Sequence, residues 1–187
     1  GLYELCKLNK KISRNIFLDI RNKKKIENEI KKFKPQILFH LTAQPLVIQS
    51  YLNPIDTIKT NIVGTANILD ICRKIKTLKT LVIVTTDKVY KNQNKKIAFN
   101  EMHELGGDDI YSYSKASVEM LVNSYRKSFY GKKIKIVTVR AGNVIGGGDW
   151  SKDRLIPDCI KSIIKKNKLM IRNPNSTRPW QHVLEPI

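Results

Sequence analysis

QILFHL, residues 36–41, decides the fold class, because a near-continuous apolar run is typical of a strand buried on both faces of a parallel sheet. A charged helix is predicted before this strand, from about Lys23 to Phe33, and Pro35 ends it. A long helix is predicted to follow Pro54. Strands that alternate with helices predict an α/β fold with a doubly wound parallel sheet.

The same alternation continues along the chain in both directions from this strand. The other predicted elements are helices at residues 2–8, 111–130 and 155–166, and strands at residues 15–20, 80–84, 134–140 and 169–172. The inner side of the helix after Pro54 is predicted to consist of Ile58, Ile62, Ala66, Ile68, Leu69 and Cys72. The sequence changes character after Ile145, where GGGDW begins, which predicts a second, smaller domain from residue 146 onward.

Composition excludes several classes of protein. With 187 residues, 41% of them hydrophobic, the chain can bury a core. It has no run of about 18 apolar residues, and its start lacks the apolar segment of a signal peptide, so no association with a membrane is expected. Cys6, Cys72 and Cys159 lack metal-ligand spacing, which indicates reduced thiols in a cytoplasmic protein and no metal site.

The net charge of +19 raises the question of nucleic-acid binding. The excess is mostly lysine, and it is spread over residues 23–25, 31–32, 95–96, 132–133 and 165–166. No aromatic residues interleave with these runs, as a platform for single-stranded nucleic acid requires. We therefore expect a solvated basic surface that attracts anionic substrates, and no nucleic-acid partner.

Tyr111 and Lys115 stand four residues apart, which places both side chains on one face of a helix. There an ammonium favours the phenolate form of a tyrosine, whose free pKa is about 10, and makes it a proton acceptor nearer neutral pH. Such a pair suits the removal of a proton from a sugar or alcohol hydroxyl during hydride transfer. A solvated helix face has the same spacing, so the interpretation depends on neighbouring residues.

Those neighbouring residues follow directly on predicted strands, at residues 40–43, 85–87 and 140–143. The active site of a parallel sheet lies beyond the carboxyl ends of its strands. These three segments and Tyr111 are therefore predicted to meet at one edge of the sheet. This convergence indicates that Tyr111 and Lys115 are catalytic.

With these residues, the chain resembles the extended short-chain dehydrogenase/reductase family, the group of nucleotide-sugar dehydratases and epimerases. The segments that carry the resemblance are residues 40–47, 60–65, 85–88, 140–150 and 172–183. The resemblance implies a Rossmann-like NAD-binding domain over residues 1–145 and the start of a substrate-binding region over residues 146–187. Lys88 resembles the branch that acts on CDP-glucose, because the related dTDP-glucose dehydratases have a glutamate at this position.

The resemblance implies a lyase that converts CDP-glucose to CDP-4-keto-6-deoxyglucose, as in the biosynthesis of deoxysugars for lipopolysaccharide O-antigens. Hydride passes from C4 of the sugar to NAD and returns to C6. Tyr111 takes the O4 proton with the help of Lys115, and Thr86 contacts the same oxygen or fixes the substrate. Asp87 protonates the departing C6 hydroxyl. Lys88 takes the C5 proton, or it pairs with Asp87 and a water is the base.

Further residues match binding positions of the family. Those implied for NAD are Asp19, Ile20, Leu41, Thr42, Ala43, Asn61, Tyr111 and Lys115. Those implied for the substrate are Gln44, Asn143, Arg154, Arg172 and Arg178. Guanidinium groups suit bidentate contacts to a diphosphate. Asn61 can also serve only to brace its helix, and His40, which ends a buried strand, is expected to be a core histidine.

The glycine-rich GxxGxxG turn that seats the NAD pyrophosphate matches no segment of the chain. In the family this turn, the first two strands and the first helix precede the position that matches Gly1, and most of the substrate domain follows Ile187. We therefore expect a fragment that neither binds NAD nor turns over alone. The resemblance implies that the intact protein is a homodimer, paired through the helices after Pro54 and at Tyr111.

Two alternatives stay open. One is another nucleotide-sugar enzyme on the same scaffold, a 4-epimerase or a dTDP-glucose dehydratase. Epimerases do not need Asp87 and Lys88 after Thr86, which argues against them. The other is a non-catalytic binding remnant, such as a basic nucleic-acid binder with steep salt dependence. The presence of the whole set of catalytic residues argues against that alternative.

Overall fold

The computed structural model describes residues 2–91, 97–131 and 133–187. The basic runs at residues 95–96 and 132–133 fall wholly or partly outside this range, because Lys95, Lys96 and Lys132 are not among the described residues. The chain forms two compact units, one of residues Leu18–Ala141 and one that joins Gly1–Phe17 to Gly142–Ile187. In the part of the chain that the structure describes, no helix is long and apolar enough to cross a membrane.

The elements alternate much as the pattern predicts. In chain order they are α1 (Leu2–Leu5), α2 (Lys23–Phe33), β1 (Ile37–His40), α3 (Val47–Leu52), α4 (Pro54–Ile58), α5 (Gly64–Cys72), β2 (Thr80–Val84), α6 (Ile110–Tyr125), β3 (Lys135–Val139), β4 (Asn143–Ile145), α7 (Leu155–Ile164) and β5 (Trp180–His182). π-helical turns at Lys59–Val63 and Arg126–Tyr130 join α4 to α5 and extend α6. Short 3-10 turns lie at Leu8–Lys10 and Asp87–Val89.

The larger unit contains a parallel sheet in the order β1-β2-β3, with Ile37 beside Thr80 and Thr80 beside Lys135. The predicted α/β fold is therefore confirmed, together with the helices expected at residues 23–33, after Pro54 and at Tyr111. The smaller unit contains a two-stranded parallel sheet, β4 beside β5, and helix α7.

Two predicted strands are wrong. Residues 15–20 and 169–172 do not join the described sheets, and Phe17 and Met170 are exposed. A strand needs hydrogen bonds from a neighbouring strand, and apolar composition alone does not supply that neighbour. Conversely, β4 and β5 were not predicted, because three residues are too few to show an alternating pattern.

Among the described residues, helices cover one face of the larger sheet well and leave side chains of the other face exposed. Leu81 and Ile83 of β2 are buried against the helices. On the opposite face, Phe39 of β1 is 65% exposed, and Val137 of β3, which lies beside it across β2, is also exposed. Successive side chains of a strand point to opposite faces, so an apolar run does not reveal which face a helix covers. The expectation that residues 36–41 are buried on both faces is therefore wrong.

The core lies between the covered face and the helices of the larger unit. Its main members are Ile68, Leu69, Ile71, Cys72, Leu81, Ile83, Val118, Val122, Tyr130 and Ile136. Three of the six residues predicted for the inner side of the helix after Pro54, Ile68, Leu69 and Cys72, are buried as predicted. Earlier in that helix the buried positions are instead polar, at Thr57 and Asn61.

Helix α6, which carries Tyr111, begins at a side-chain cap. Asp109 Oδ1 accepts the backbone N–H of Ser112 at 2.9 Å, and Asp109 Oδ2 accepts the Ser112 hydroxyl at 2.7 Å. Asp109→Ala is therefore expected to lower the free energy of unfolding by about 1 kcal/mol. Asp108→Ala removes an adjacent carboxylate that does not cap the helix, and it should cost less than about 0.5 kcal/mol. Equal losses in urea unfolding would contradict the assigned cap.

Candidate active site

The segments that follow β2 and β3 stay together beyond the carboxyl edge of the sheet. Thr85 N–H donates to the Val139 carbonyl at 2.8 Å, and Asp87 N–H donates to the Ala141 carbonyl at 3.0 Å. These bonds continue the parallel pairing of the two strands for several residues. The edge therefore presents residues 85–87 and 140–141 side by side, as the strand order predicts.

Thr86, Asp87 and Lys88 form a tight turn at this edge. Thr86 is buried, and its hydroxyl donates to Asp87 Oδ1 at 3.1 Å while accepting the Lys88 backbone N–H at 3.4 Å. Thr86 thereby caps the 3-10 turn Asp87–Val89. The turn brings a hydroxyl, a carboxyl group and an ammonium together within three consecutive residues.

Tyr111 and Lys115 lie one turn apart on α6 and are only 8% and 7% exposed. The alternative of a solvated helix face is therefore wrong for this pair. Lys115 Nζ donates to the Val84 carbonyl at 3.1 Å, which ties α6 to the end of β2. Lys88 Nζ lies 5.8 Å from the centroid of the Tyr111 ring, within the range of a cation–π contact. The structure thus brings the Thr86–Lys88 turn and the Tyr111/Lys115 pair together.

Burial controls the charge of Lys115. It lowers the pKa of the Lys115 ammonium to about 8, and the negative charge of Glu119 opposes that shift. Lys115 therefore keeps its charge at neutral pH and loses it in mildly alkaline solution.

His40 is a satisfied core histidine. Its Nε2 lies 2.9 Å from Thr65 Oγ1, and the Thr65 hydroxyl donates to the Asn61 carbonyl at 2.6 Å. Because the hydroxyl proton is already used, His40 Nε2 must be the donor, which assigns the neutral Nε2–H tautomer. Burial and the nearby charge of Lys115 lower the pKa of His40 to about 4, consistent with this neutral state.

Asn61 links the loop after β1 to helix α6. Its Oδ1 accepts the Gln44 N–H at 2.8 Å, and its Nδ2 donates to the Gln44 carbonyl at 3.2 Å and to Ser114 Oγ at 2.9 Å. The Gln44 side-chain amide donates to Thr57 Oγ1 at 2.9 Å. These contacts support a bracing function for Asn61, and the binding functions of Asn61 and Gln44 stay predictions.

The other residues implied for NAD also lie in the larger unit. The Asp19 carboxylate accepts hydrogen bonds from Arg21, with Arg21 Nε 2.9 Å from Asp19 Oδ1, and this contact lowers the pKa of Asp19 to about 2. Ile20 is buried against helix α5, where a Cβ on Gly64 would lie 2.8 Å from Ile20 Cγ2. Residues 41–43 follow β1 at the sheet edge, with the first two exposed and the third partly exposed.

The remaining residues predicted for the substrate belong to the smaller unit. They are Asn143, Arg154, Arg172 and Arg178. Arg154 Nη1 pairs with Asp149 Oδ2 at 2.9 Å, and Arg172 Nη1 lies 3.4 Å from Asp153 Oδ1. The Arg178 guanidinium donates to the carbonyl of the preceding threonine at 2.7 Å. Their contacts with a diphosphate stay predictions.

Glu119, one turn after Lys115 on α6, was not predicted as part of the site. It is buried and accepts hydrogen bonds from Thr85, Thr138 and Arg140. Burial alone would raise the pKa of this carboxyl group, but the three donors hold the pKa below its ordinary value. An acidic residue four positions after Lys115 was the only sequence signal that could have identified it.

Comparison with known proteins identifies the family of the chain. A family described as GDP-mannose 4,6 dehydratase matches residues 4–187. The whole chain is 44% identical to the CDP-glucose 4,6-dehydratase of Salmonella typhimurium and covers 54% of that protein, so it spans about half the length of this relative.

Two solved structures share the fold. A dTDP-glucose 4,6-dehydratase from Bacillus anthracis, in complex with NAD, matches with a TM-score of 0.77 at 27% identity, over 91% of this chain and 51% of that one. A UDP-glucuronic acid 4-epimerase from Bacillus cereus, in complex with UDP-glucuronic acid and NAD, matches with a TM-score of 0.84 at 24% identity. The match covers 98% of this chain and 56% of that one. At that identity, the likeness to the epimerase shows the fold alone.

Proposed function

The chain belongs to the GDP-mannose 4,6-dehydratase family, and from this membership we propose that it is part of an NAD-dependent CDP-glucose 4,6-dehydratase. The observation that carries the proposal is the position of Lys88 Nζ, 5.8 Å from the Tyr111 ring, in the same turn as Asp87. A 4-epimerase needs a proton acceptor at O4 but no acid and base for dehydration. The 44% identity with a CDP-glucose 4,6-dehydratase supports the same conclusion.

Tyr111 would take the proton from the O4 hydroxyl of the sugar. The charged Lys115 one turn away favours the phenolate, and its burial strengthens that interaction because little water screens it. The Thr86 hydroxyl lies at the same sheet edge and would contact O4 or hold the substrate. With these residues the site can remove the O4 proton as the hydride leaves C4.

Asp87 and Lys88 would complete the dehydration. Once C4 is a ketone, the C5 proton is acidic, and Lys88 in its neutral form would remove it. Asp87 would protonate the C6 hydroxyl as it leaves as water, and the protonated Lys88 would give the proton back to C5 when the hydride returns to C6. A water held by a Lys88–Asp87 pair is the alternative base for C5.

The residues present fit NAD by the chemistry of their donors and acceptors. Lys115 has three N–H donors, and its bond to Val84 uses one, so the ammonium can also donate to ribose hydroxyls. The Asp19 carboxylate can accept a hydrogen bond from the amino group of the NAD adenine, the part of NAD that the family resemblance implies for Asp19 and Ile20. When bound, NAD would supply the acceptor for the C4 hydride and return that hydride to C6. Asn61 and residues 41–43 would line this site.

The proposal extends to the substrate, the assembly and the compartment. Gln44, Asn143 and the three arginines at positions 154, 172 and 178 would hold the CDP-glucose diphosphate and sugar. A homodimer would form through the helix after Pro54 and α6, on which Val63 and Met120 are exposed. The three free cysteines support a reducing compartment, the cytoplasm.

CDP-glucose deuterated at C4 tests the reaction type. The proposed dehydratase, expressed at its natural length, should move the label to C6 of a 4-keto-6-deoxy product, which mass spectrometry and proton NMR detect. An epimerase would return the label to C4 of an unchanged or inverted sugar. Label retained at C4 would contradict the proposed reaction.

The proposed base is tested by Lys88→Gln. Removing the amine should lower the rate of dehydration about 100-fold or more and abolish exchange of the C5 proton with solvent deuterium. Oxidation at C4, followed as NADH absorbance in a single turnover, should persist. Lys91→Gln is the matched control, because this exposed lysine pairs with Glu104 and should be dispensable. Unchanged C5 exchange in Lys88→Gln would indicate a water base.

A further inference from the structure

Glu119 joins three elements of the active site that the sequence separates. Glu119 Oε1 accepts the Thr85 hydroxyl, and Glu119 Oε2 accepts the Thr138 hydroxyl at 2.8 Å and Arg140 Nη2 at 3.0 Å. Thr85 directly follows β2 and precedes the Thr86–Lys88 turn, Thr138 lies in β3, and Arg140 directly follows β3. The carboxylate therefore holds both strand ends against the helix that carries Tyr111 and Lys115.

The Glu119–Arg140 pair is largely shielded from water. The exposed fractions of their side chains are 5% and 15%, so the Coulomb attraction is stronger than at a protein surface. Three donors satisfy the carboxylate, as a buried charge requires. Glu119 thus carries an ionised carboxylate, hydrogen-bonded by three donors, one turn from Lys115.

Among the described residues, Glu119 is the charged group that opposes the lowering of the Lys115 pKa by burial; Arg140 pairs with Glu119, and the Asp87 carboxyl lies in the turn packed against α6. From α6, Glu119 lies one turn after Lys115 and Tyr111 one turn before it. From β1, His40 is neutral, and from β2 the Val84 carbonyl accepts the ammonium. Lys88 adds a second positive charge beside Tyr111. Glu119 thus favours the charged form of Lys115.

We propose that Glu119 is a positioning residue of the active site. Its carboxylate fixes the Thr85–Lys88 segment against α6, and its charge keeps Lys115 protonated while Lys115 is buried. The catalytic consequence rests on the proposed function, whereas the effect on Lys115 does not. In the proposed function Tyr111 and Lys88 would touch the reacting groups, whereas Glu119 would act through Lys115 and Thr85.

The test measures the protonation of Lys115 directly. Competitive acetylation over a pH series, followed by mass spectrometry of the peptide that contains Lys115, gives its titration in the protein at natural length. Glu119→Gln keeps an oxygen acceptor but removes the charge, and it should shift the Lys115 titration down by about 1 pH unit. Thr138→Val removes one hydrogen bond but no charge, and should leave the titration unchanged.

Glu119→Asp provides a rescue that keeps the charge. It should restore the wild-type Lys115 titration even where the shorter side chain weakens the contacts with Thr138 and Arg140. Glu119→Asp also tests the proposal if Glu119→Gln does not fold. A Lys115 titration that is about 1 pH unit lower in Glu119→Asp than in the wild type would overturn the proposal, because this variant keeps the negative charge. Identical titrations in wild type and Glu119→Gln would overturn it as well.

Kinetics then connect this effect with catalysis. A step that needs charged Lys115 is lost as the pH rises through the Lys115 pKa, so Glu119→Gln should move the alkaline limb of the kcat/KM profile to lower pH. A merely structural residue would lower stability without moving that limb. If the wild-type protein does not turn over CDP-glucose, the proposed function fails, and the acetylation measurement still decides the effect of Glu119 on Lys115.

Discussion

Tyr111→Phe is expected to lower kcat for CDP-glucose about 1,000-fold and to leave the fold unchanged. The substitution removes one oxygen from a buried ring, so the packing of α6 against the sheet is retained. It removes the group proposed to take the O4 proton, and a positioned general base contributes about 100- to 10,000-fold to the rate. Steady-state kinetics of the protein at natural length, with circular dichroism and thermal melting, check both expectations.

The matched control is Tyr113→Phe on the same helix. Tyr113 is 49% exposed and lies two positions from Tyr111, so it points to another side of α6. Its kcat should stay within about twofold of the wild-type value. A loss of activity in Tyr113→Phe as large as that in Tyr111→Phe would contradict the assigned base, as would full activity in Tyr111→Phe.

Lys115→Met is expected to lower kcat about 100-fold or more while raising stability at pH 7 by about 1–2 kcal/mol. The methionine nearly preserves the length and volume of the side chain but lacks the ammonium that favours the Tyr111 phenolate. It also removes a charge that is costly to bury, as the pKa of about 8 shows. The lost hydrogen bond to Val84 offsets part of this gain.

The pH dependence of this stability difference distinguishes a buried charge from better packing. Below about pH 8, Lys115 is charged in both the folded and the unfolded protein, and the cost of burial is fully present. As the pH rises toward the ordinary lysine value of about 10.4, only the unfolded state stays protonated, so the wild type gains stability. The advantage of Lys115→Met should therefore shrink over this range. If urea unfolding shows Lys115→Met to be more stable than the wild type by the same free energy from pH 7 to 10, the buried-charge explanation is contradicted.

The α/β fold could be predicted from sequence because its parallel strands are short apolar runs between helices. The runs at residues 36–41 and 80–84 became β1 and β2 within a residue or two of the predicted bounds. The coverage of each sheet face could not be predicted. Phe39 and His40 belong to the same apolar run, yet they point to opposite faces and only His40 is buried.

Part of the site could be predicted by combining helical spacing with the topology of a parallel sheet. The spacing paired Tyr111 with Lys115, and the rule for strand ends placed Thr86 and Asp87 near them. The same spacing puts Glu119 one turn after Lys115, but its partners could not be found in this way, because they are residues at or beside strand ends, 19 to 34 positions away in sequence. Polar contacts of this kind depend on the packing of α6 and leave no periodic pattern.

The most direct measurement is the turnover of CDP-glucose beside dTDP-glucose, with NAD supplied, by the protein at its natural length. We predict a 4-keto-6-deoxy product from CDP-glucose alone. The prediction rests on Lys88, where dTDP-glucose dehydratases have a glutamate, and on the 44% sequence identity with a CDP-glucose 4,6-dehydratase. Mass spectrometry identifies that product through the loss of one water. Product from dTDP-glucose alone, or from neither nucleotide sugar, would contradict the proposed function.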